Sequence, residues 1–194
     1  MQDIITTIKQ RRSIRKFKED QLPKESLLTI LEAGQYAPSG GNNQSTHMIV
    51  IQNKEILKKL KAIVEHEFSQ MEIHDDMYES IKSSIRASKK GGYEFFYKAP
   101  SLIIVANKKG YGNAMADSTC VLENMMLAAT GLEVGTCWIN QLHWLEDNES
   151  IRVFLKELGL SEDETICGGL ALGYADVTPI NPVKRIGNPI TFID

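Results

Sequence analysis

Four short runs in this 194-residue chain read as strands, and the helices between them narrow the folds it can adopt. The runs are HMIVIQ (His47–Gln52), SLIIVAN (Ser101–Asn107), EVGTCWIN (Glu133–Asn140) and TICGGLALGYA (Thr165–Ala175). Short apolar runs bounded by turn residues suit buried strands. The small residues of the fourth leave room for another backbone or a ring. Helical spacing fills the gaps. Ile4, Ile5 and Ile8 follow a candidate Asp3 cap, and a segment led by Pro23 carries Leu27, Leu28, Ile30 and Leu31 to about Tyr36. Asn53 caps KEILKKLKAIV, whose inner side holds Ile56, Leu57, Leu60 and Ile63. A long helix from Asn113 to Thr130 stops at Gly131, and a short one from Glu149 to Leu158 stops at Gly159. The methionines of the long helix, Met115, Met125 and Met126, suit core gaps or a subunit interface. From Glu65 to Lys98 the pattern is irregular and scattered with aromatics (Phe68, Tyr78, Tyr93, Phe95, Phe96, Tyr97). That region reads either as a mobile helical lid beside a substrate pocket or as an excursion packed on the core.

Composition removes several classes. A chain of this length with 42% hydrophobic residues forms one domain, residues 1–194, and needs no covalent staples. No apolar run approaches the roughly 18 residues of a membrane span. The N-terminal segment turns polar after Ile8 without a cleavage pattern, so a cytoplasmic protein is expected. Cys120, Cys137 and Cys167 are odd in number and widely spaced, which fits buried thiols and argues against disulfides or zinc. His47, His66, His74 and His143 match no familiar metal spacing, so no metal is expected. No GxSxG turn supports a hydrolase.

The chemistry concentrates in two stretches. KQRRSIRKFK, Lys9 to Lys18, packs six bases into ten positions with no acid. Removing its six leaves 16 bases against 25 acids, nine charges negative, so the cluster is a local basic site in an acidic protein. Such a site suits a small anion better than a long polyanion. Bases at the end of a helix also simply complement its dipole. Arg11, Arg12 and Arg15 add planar forks for bidentate phosphate contact, with Ser13 between them. The second stretch, APSGGNNQS, is a turn: Pro38 ends the helix, and Gly40 and Gly41 allow close approach of a ligand. Asn42, Asn43 and Gln44 then offer three carboxamides, each donor and acceptor at once, which suits a ring edge where carbonyl oxygens and ring nitrogens alternate. An ordinary polar loop is the alternative. GYGNAM, Gly110 to Met115, sits where a dinucleotide fingerprint would lie, but Met115 occupies its third glycine position.

RRSIRKF near the N-terminus, APSGGNNQ, GLEVGTCWI and ALGYAD before a basic tail together resemble the nitroreductase family of FMN-dependent oxidoreductases. The likeness runs from Arg11 to about Arg185. It implies an α+β fold, a central mixed sheet flanked by helices, in an intertwined homodimer with FMN at the interface. It implies further that Arg11, Arg12 and Ser13 hold the phosphate and ribityl end, while Arg15 approaches the pyrimidine side of the ring. Positive charge there stabilises negative charge on the reduced ring. Pro38, Ser39, Gly40, Asn42 and Gln44 match the loop that reaches the flavin from the opposite subunit. Asn140 and Gln141 match the position of backbone amides beside the hydride-accepting nitrogen, and Lys184 with Arg185 match a basic tail returning to the phosphate.

The activity implied is ping-pong transfer of two electrons from NADH or NADPH to a nitroaromatic, quinone or similar acceptor, with the cofactor carrying the chemistry and no catalytic side chain. Two departures bear on the acceptor. Ser45, Thr46 and His47 stand where the family usually has proline and tryptophan, and Asn140 and Gln141 stand where many members have glycine. A same-fold enzyme that dehalogenates a substrate or degrades flavin is one alternative. A non-enzymatic module docking an anionic partner is another, though the acidic remainder and the near absence of aromatics from the cluster count against nucleic acid. The tail from Pro179 carries three prolines and ends in the apolar run Ile190 to Ile193, as an arm crossing to a second subunit would.

Overall fold

The computed structural model describes residues 3–177, 182 and 184–193. The elements run α1 (Ile4–Gln10), α2 (Lys24–Gln35), β1 (His47–Ile51), α3 (Lys54–Gln70), α4 (Glu79–Lys90), β2 (Ser101–Lys108), α5 (Ala114–Gly131), β3 (Gly135–Ile139), α6 (Gln141–Trp144), α7 (Glu149–Glu157) and β4 (Glu164–Gly173). The four strands form one sheet in the order β1-β2-β4-β3. Every ladder in it is antiparallel, with Ile49 opposite Ile104, Ile103 opposite Leu170, and Cys137 opposite Ala171. The fold is α+β. Its parallel component among the described residues is a single bridge, Ser13 to Thr136, on the free side of β3.

Why SLIIVAN is apolar without alternation is now plain. Successive strand residues point to opposite faces, and helices cover both. Leu102, Ile104 and Ala106 enter one core with Leu60 and Phe68 of α3, Ile85 of α4, and Ile151 and Leu155 of α7. Ile103 and Val105 enter the other with Ile30 of α2 and Leu122 and Met125 of α5. Asn53 caps α3 as its residue type suggests, its Oδ1 accepting from the backbone N–H groups of Glu55 (2.9 Å) and Ile56 (3.1 Å). The small residues of β4 do admit close neighbours: a Cβ on Gly168 would lie 3.0 Å from Trp138 Nε1, and one on Gly173 2.6 Å from Pro100 Cδ.

Residues 65–98 divide into the end of α3, α4 and a turn, and they pack on the first core through Phe68, Ile85 and Phe95, all essentially inaccessible. The apolar face of α1 is treated differently. Ile4, Ile5 and Ile8 are 66%, 51% and 47% exposed. Ile190, Phe192 and Ile193 of the tail are also exposed, whereas Pro179, with its immediate neighbours, lies outside the described residues. No helix among the described residues is long and apolar enough to cross a membrane.

Candidate cofactor-binding site

Beyond α1 the chain straightens and runs along the free side of β3, with Ile14 N–H donating to Thr136 O at 2.8 Å. In an extended segment alternate residues face the same way. Arg11, Ser13 and Arg15 all gather around the buried thiol of Cys137 on β3. Burial pushes that thiol up from its ordinary pKa. The Arg15 charge, hydrogen bonding with Ser13 and Tyr97, and the Arg11 charge act the other way. The Arg15 guanidinium lies 5.9 Å from the centre of the Tyr97 ring, and hydrogen bonding with Tyr97 raises its pKa further above the ordinary value.

Little in the chain itself satisfies these cations. The Arg11 ion pair is loose, Nε to Glu123 Oε1 at 3.7 Å, and Arg15 has no carboxylate within 4.0 Å among the described residues. Thr136 Oγ1, across the bridge from Ser13, is buried without a partner. Arg12 stands apart from the other two. Its Nη1 donates to the carbonyls of Lys9 (2.8 Å) and Arg11 at the end of α1, leaving a buried Nε unpartnered.

The carboxamide loop is built on the other flank of α5. Pro38, Ser39, Asn42 and Gln44 line a cavity of about 650 Å³, together with Tyr36, Thr46 and Met48. Asn42 and Gln44 hold left-handed backbone conformations at φ 56° and 49°, and Gln44 Nε2 donates to Asn42 Oδ1 at 3.0 Å. Gly40 sits close to the turn before α5, where a Cβ would lie 2.6 Å from the Tyr111 hydroxyl and closer still to the Asn113 amide. The residues that break the family pattern tie the loop's exit to the sheet. Ser45 Oγ donates to Asn107 Oδ1 (2.7 Å), and His47 Nδ1 lies 3.0 Å from both oxygens of Glu164.

Arg11, Ser13 and Arg15 thus come together, and Pro38, Ser39, Gly40, Asn42 and Gln44 come together, but within one chain the two groups do not meet. β1 and β3 occupy opposite edges of the sheet, about 14 Å apart at three strand spacings. Among the described residues no hydrogen bond or ion pair joins residues 11–15 to the loop. Lys184 and Arg185 are exposed, on a segment without regular structure, and contact neither group through such bonds. Asn140 and Gln141 follow β3. Asn140 Oδ1 accepts from Trp138 Nε1 at 2.6 Å. Gln141 turns inward, Nε2 donating to the Tyr93 hydroxyl at 2.9 Å, while its buried Oε1 has no partner.

Residues 8–174 match the nitroreductase family. The chain belongs to that family. Among its nitroreductase relatives, a putative NADH dehydrogenase/NAD(P)H nitroreductase of Archaeoglobus fulgidus is 28% identical over 179 residues, covering 90% of this chain and 86% of the relative. A crystal structure of a nitroreductase with bound FMN from Bacteroides fragilis superposes with a TM-score of 0.87 at 34% identity, covering all of both chains. A second FMN-bound nitroreductase, from Desulfitobacterium hafniense, gives 0.84 at 28% identity, again over all of both.

Three site features escaped the motif reading. Tyr97, which touches Arg15, looked like one scattered aromatic among six. Cys137 looked like packing, and it is packed, but amid the cations. Asp117 is a buried acid whose carboxylate accepts from Gly40 N–H. An acid in the apolar stretch AMADSTCVLENMM was the available signal for it.

Proposed function

We propose that this nitroreductase-family chain is an FMN-dependent oxidoreductase that passes two electrons from NADH or NADPH to a nitroaromatic, quinone or similar acceptor. The observation that carries the reading is the under-satisfied group of Arg11, Ser13 and Arg15 beside β3, in a chain whose whole-length relatives bind FMN. The residues fit the cofactor: guanidinium forks and a hydroxyl for its phosphate end, and carboxamides with a roomy cavity for its ring. FMN held there would supply the redox chemistry, a two-electron exchange with donor and acceptor in turn.

The chain's own part is holding and polarising. Arg11, Arg12 and Ser13 would grip the phosphate and ribityl end, and Lys184 with Arg185 would add charge there. Arg15, steadied by Tyr97, would set a positive charge by the pyrimidine side. The backbone at Asn140 and Gln141 would border the reacting edge. We further propose a homodimer, in which the loop from Pro38 to Gln44 completes the partner's site. The distance between the loop and the arginine group within one chain supports this, as do the uncovered apolar face of α1 and the exposed tail. Such a protein would work in the cytoplasm.

Purification tests the reading directly. A yellow protein, or one that takes up FMN and then oxidises NADH or NADPH only when a nitroaromatic or quinone is supplied, with parallel double-reciprocal plots, is expected. A colourless protein that takes up no FMN would refute it.

A further inference from the structure

Among the described residues, only α5 and the turn before it bond to the segment from Pro38 to Gln44 from outside that loop. Asp117, in the first turn of α5, is buried, and its two carboxylate oxygens lie 3.1 and 3.2 Å from Gly40 N. The Tyr111 hydroxyl donates to the same carboxylate at 2.9 Å and lies 3.2 Å from Gly40 O. No cation pairs with Asp117 among the described residues. The loop's other bonds are internal: Asn42 N–H to Ser39 O, Asn43 N–H to Gly40 O, and Gln44 N–H to Ser39 Oγ. Against them stand three left-handed residues, Gly41, Asn42 and Gln44, of which Gln44 carries a side chain that disfavours that conformation. Strain of this kind persists only where the surroundings over-determine it.

We propose that Asp117 is the positioning residue of the carboxamide loop: its buried carboxylate, through Gly40 N–H and the Tyr111 hydroxyl, holds Asn42 and Gln44 where they can reach a cofactor bound to the partner chain. The loop's role at the cofactor rests on the functional reading above; the clamp itself does not. Asp117 touches no reacting group. It acts by fixing Gly40 against α5, where a helix N-terminus also favours the negative charge. The approach is close: a Cβ at position 40 would meet the Asn113 amide and the Tyr111 hydroxyl, and those side chains would have to move to admit it.

Amide hydrogen exchange in the flavin-free protein tests the clamp, and FMN titration of the same proteins tests what it is for. In Asp117→Ala, the amides of residues 40–44 are expected to exchange about tenfold faster or more, with those of β2 and β4 unchanged, and FMN to bind about tenfold more weakly. Asp117→Asn keeps one oxygen to accept from Gly40 N–H and should restore most of both. Tyr111→Phe, which removes a single hydroxyl, should move both in the same direction by less. Unchanged exchange at residues 40–44 in a folded Asp117→Ala protein would overturn the proposal. So would equal acceleration in β2 and β4, because the effect would then be loss of global stability. Faster exchange at the loop with unaltered FMN affinity would leave the clamp standing and overturn the loop's assignment to the cofactor.

Discussion

Replacing Arg11 and Arg15 by alanine, singly and together, should separate binding from folding. In the flavin-free chain Arg11 makes one ion pair, at 3.7 Å to a half-exposed Glu123, and such pairs are worth about 0–1 kcal/mol. Arg15 rests on the Tyr97 ring at 5.9 Å, a contact worth about 0.5–1 kcal/mol at an exposed site. Neither substitution should lower urea stability by more than about 1 kcal/mol. A charge-assisted hydrogen bond to the cofactor, in contrast, is worth about 1.5–3 kcal/mol, or roughly 10- to 150-fold in Kd for each arginine. Both side chains act on Cys137 and so share one neighbourhood, which makes them coupled. The double variant should therefore lose less than the product of the two single effects. Fluorescence titration with FMN gives the affinities and urea unfolding gives the stabilities. An FMN affinity within about twofold of the original in the double variant would refute the placement. A fall in stability large enough to account for lost binding would refute the reasoning about Arg11 and Arg15 as ligand-facing groups.

Other expectations follow from the packing and charges. Gly173→Ala would drive a Cβ to 2.6 Å from Pro100 Cδ and 2.8 Å from Cγ, and should cost about 1–3 kcal/mol in chemical unfolding. Glu65 is held below the ordinary carboxylate pKa of 4.5, chiefly by the Lys61 hydrogen bond and also by Tyr93 N–H. Its stabilising contribution is therefore present above about pH 4.5 and lost as pH falls through the lowered folded value. Glu65→Gln should flatten that part of the stability–pH profile, and an unaltered profile would contradict the assignment. Ile5→Asp on the uncovered face of α1 should shift sedimentation equilibrium toward monomer, while an undisturbed dimer would exclude α1 from the interface.

Much of this architecture was legible because its elements carry strong periodic or capping signals. The strand at Ser101, the Asn53 cap and the end of α5 at Gly131 all fall where residue chemistry puts them. α4 was not legible: ESIKSSIRASKK offers only Ile81 and Ile85 to the core and buries Ser84 and Ser88 beside them, so its apolar stripe is short and interrupted by serines. The four-residue α6 is too short for any period to show. α1 was read as a helix from Ile4, Ile5 and Ile8, yet those residues face outward, because periodicity tells which residues share a face and not what covers it. The same limit applies to the site. RRSIR alternates charge along an extended segment, so its gathering beside β3 follows from local geometry. The Asp117 clamp on Gly40 spans 77 residues of sequence, and no local pattern encodes it.

A mixed-dimer complementation tests the split site most directly. One chain carries Arg11→Ala with Arg15→Ala, the other Asn42→Ala with Gln44→Ala, each with its own affinity tag so that mixed dimers can be isolated. Each variant alone should fail to hold FMN, whereas the mixed dimer has one site made of intact halves and should bind one FMN for every two chains. A mixed dimer that binds none, although both variants fold and associate, would contradict the claim that two chains build each site.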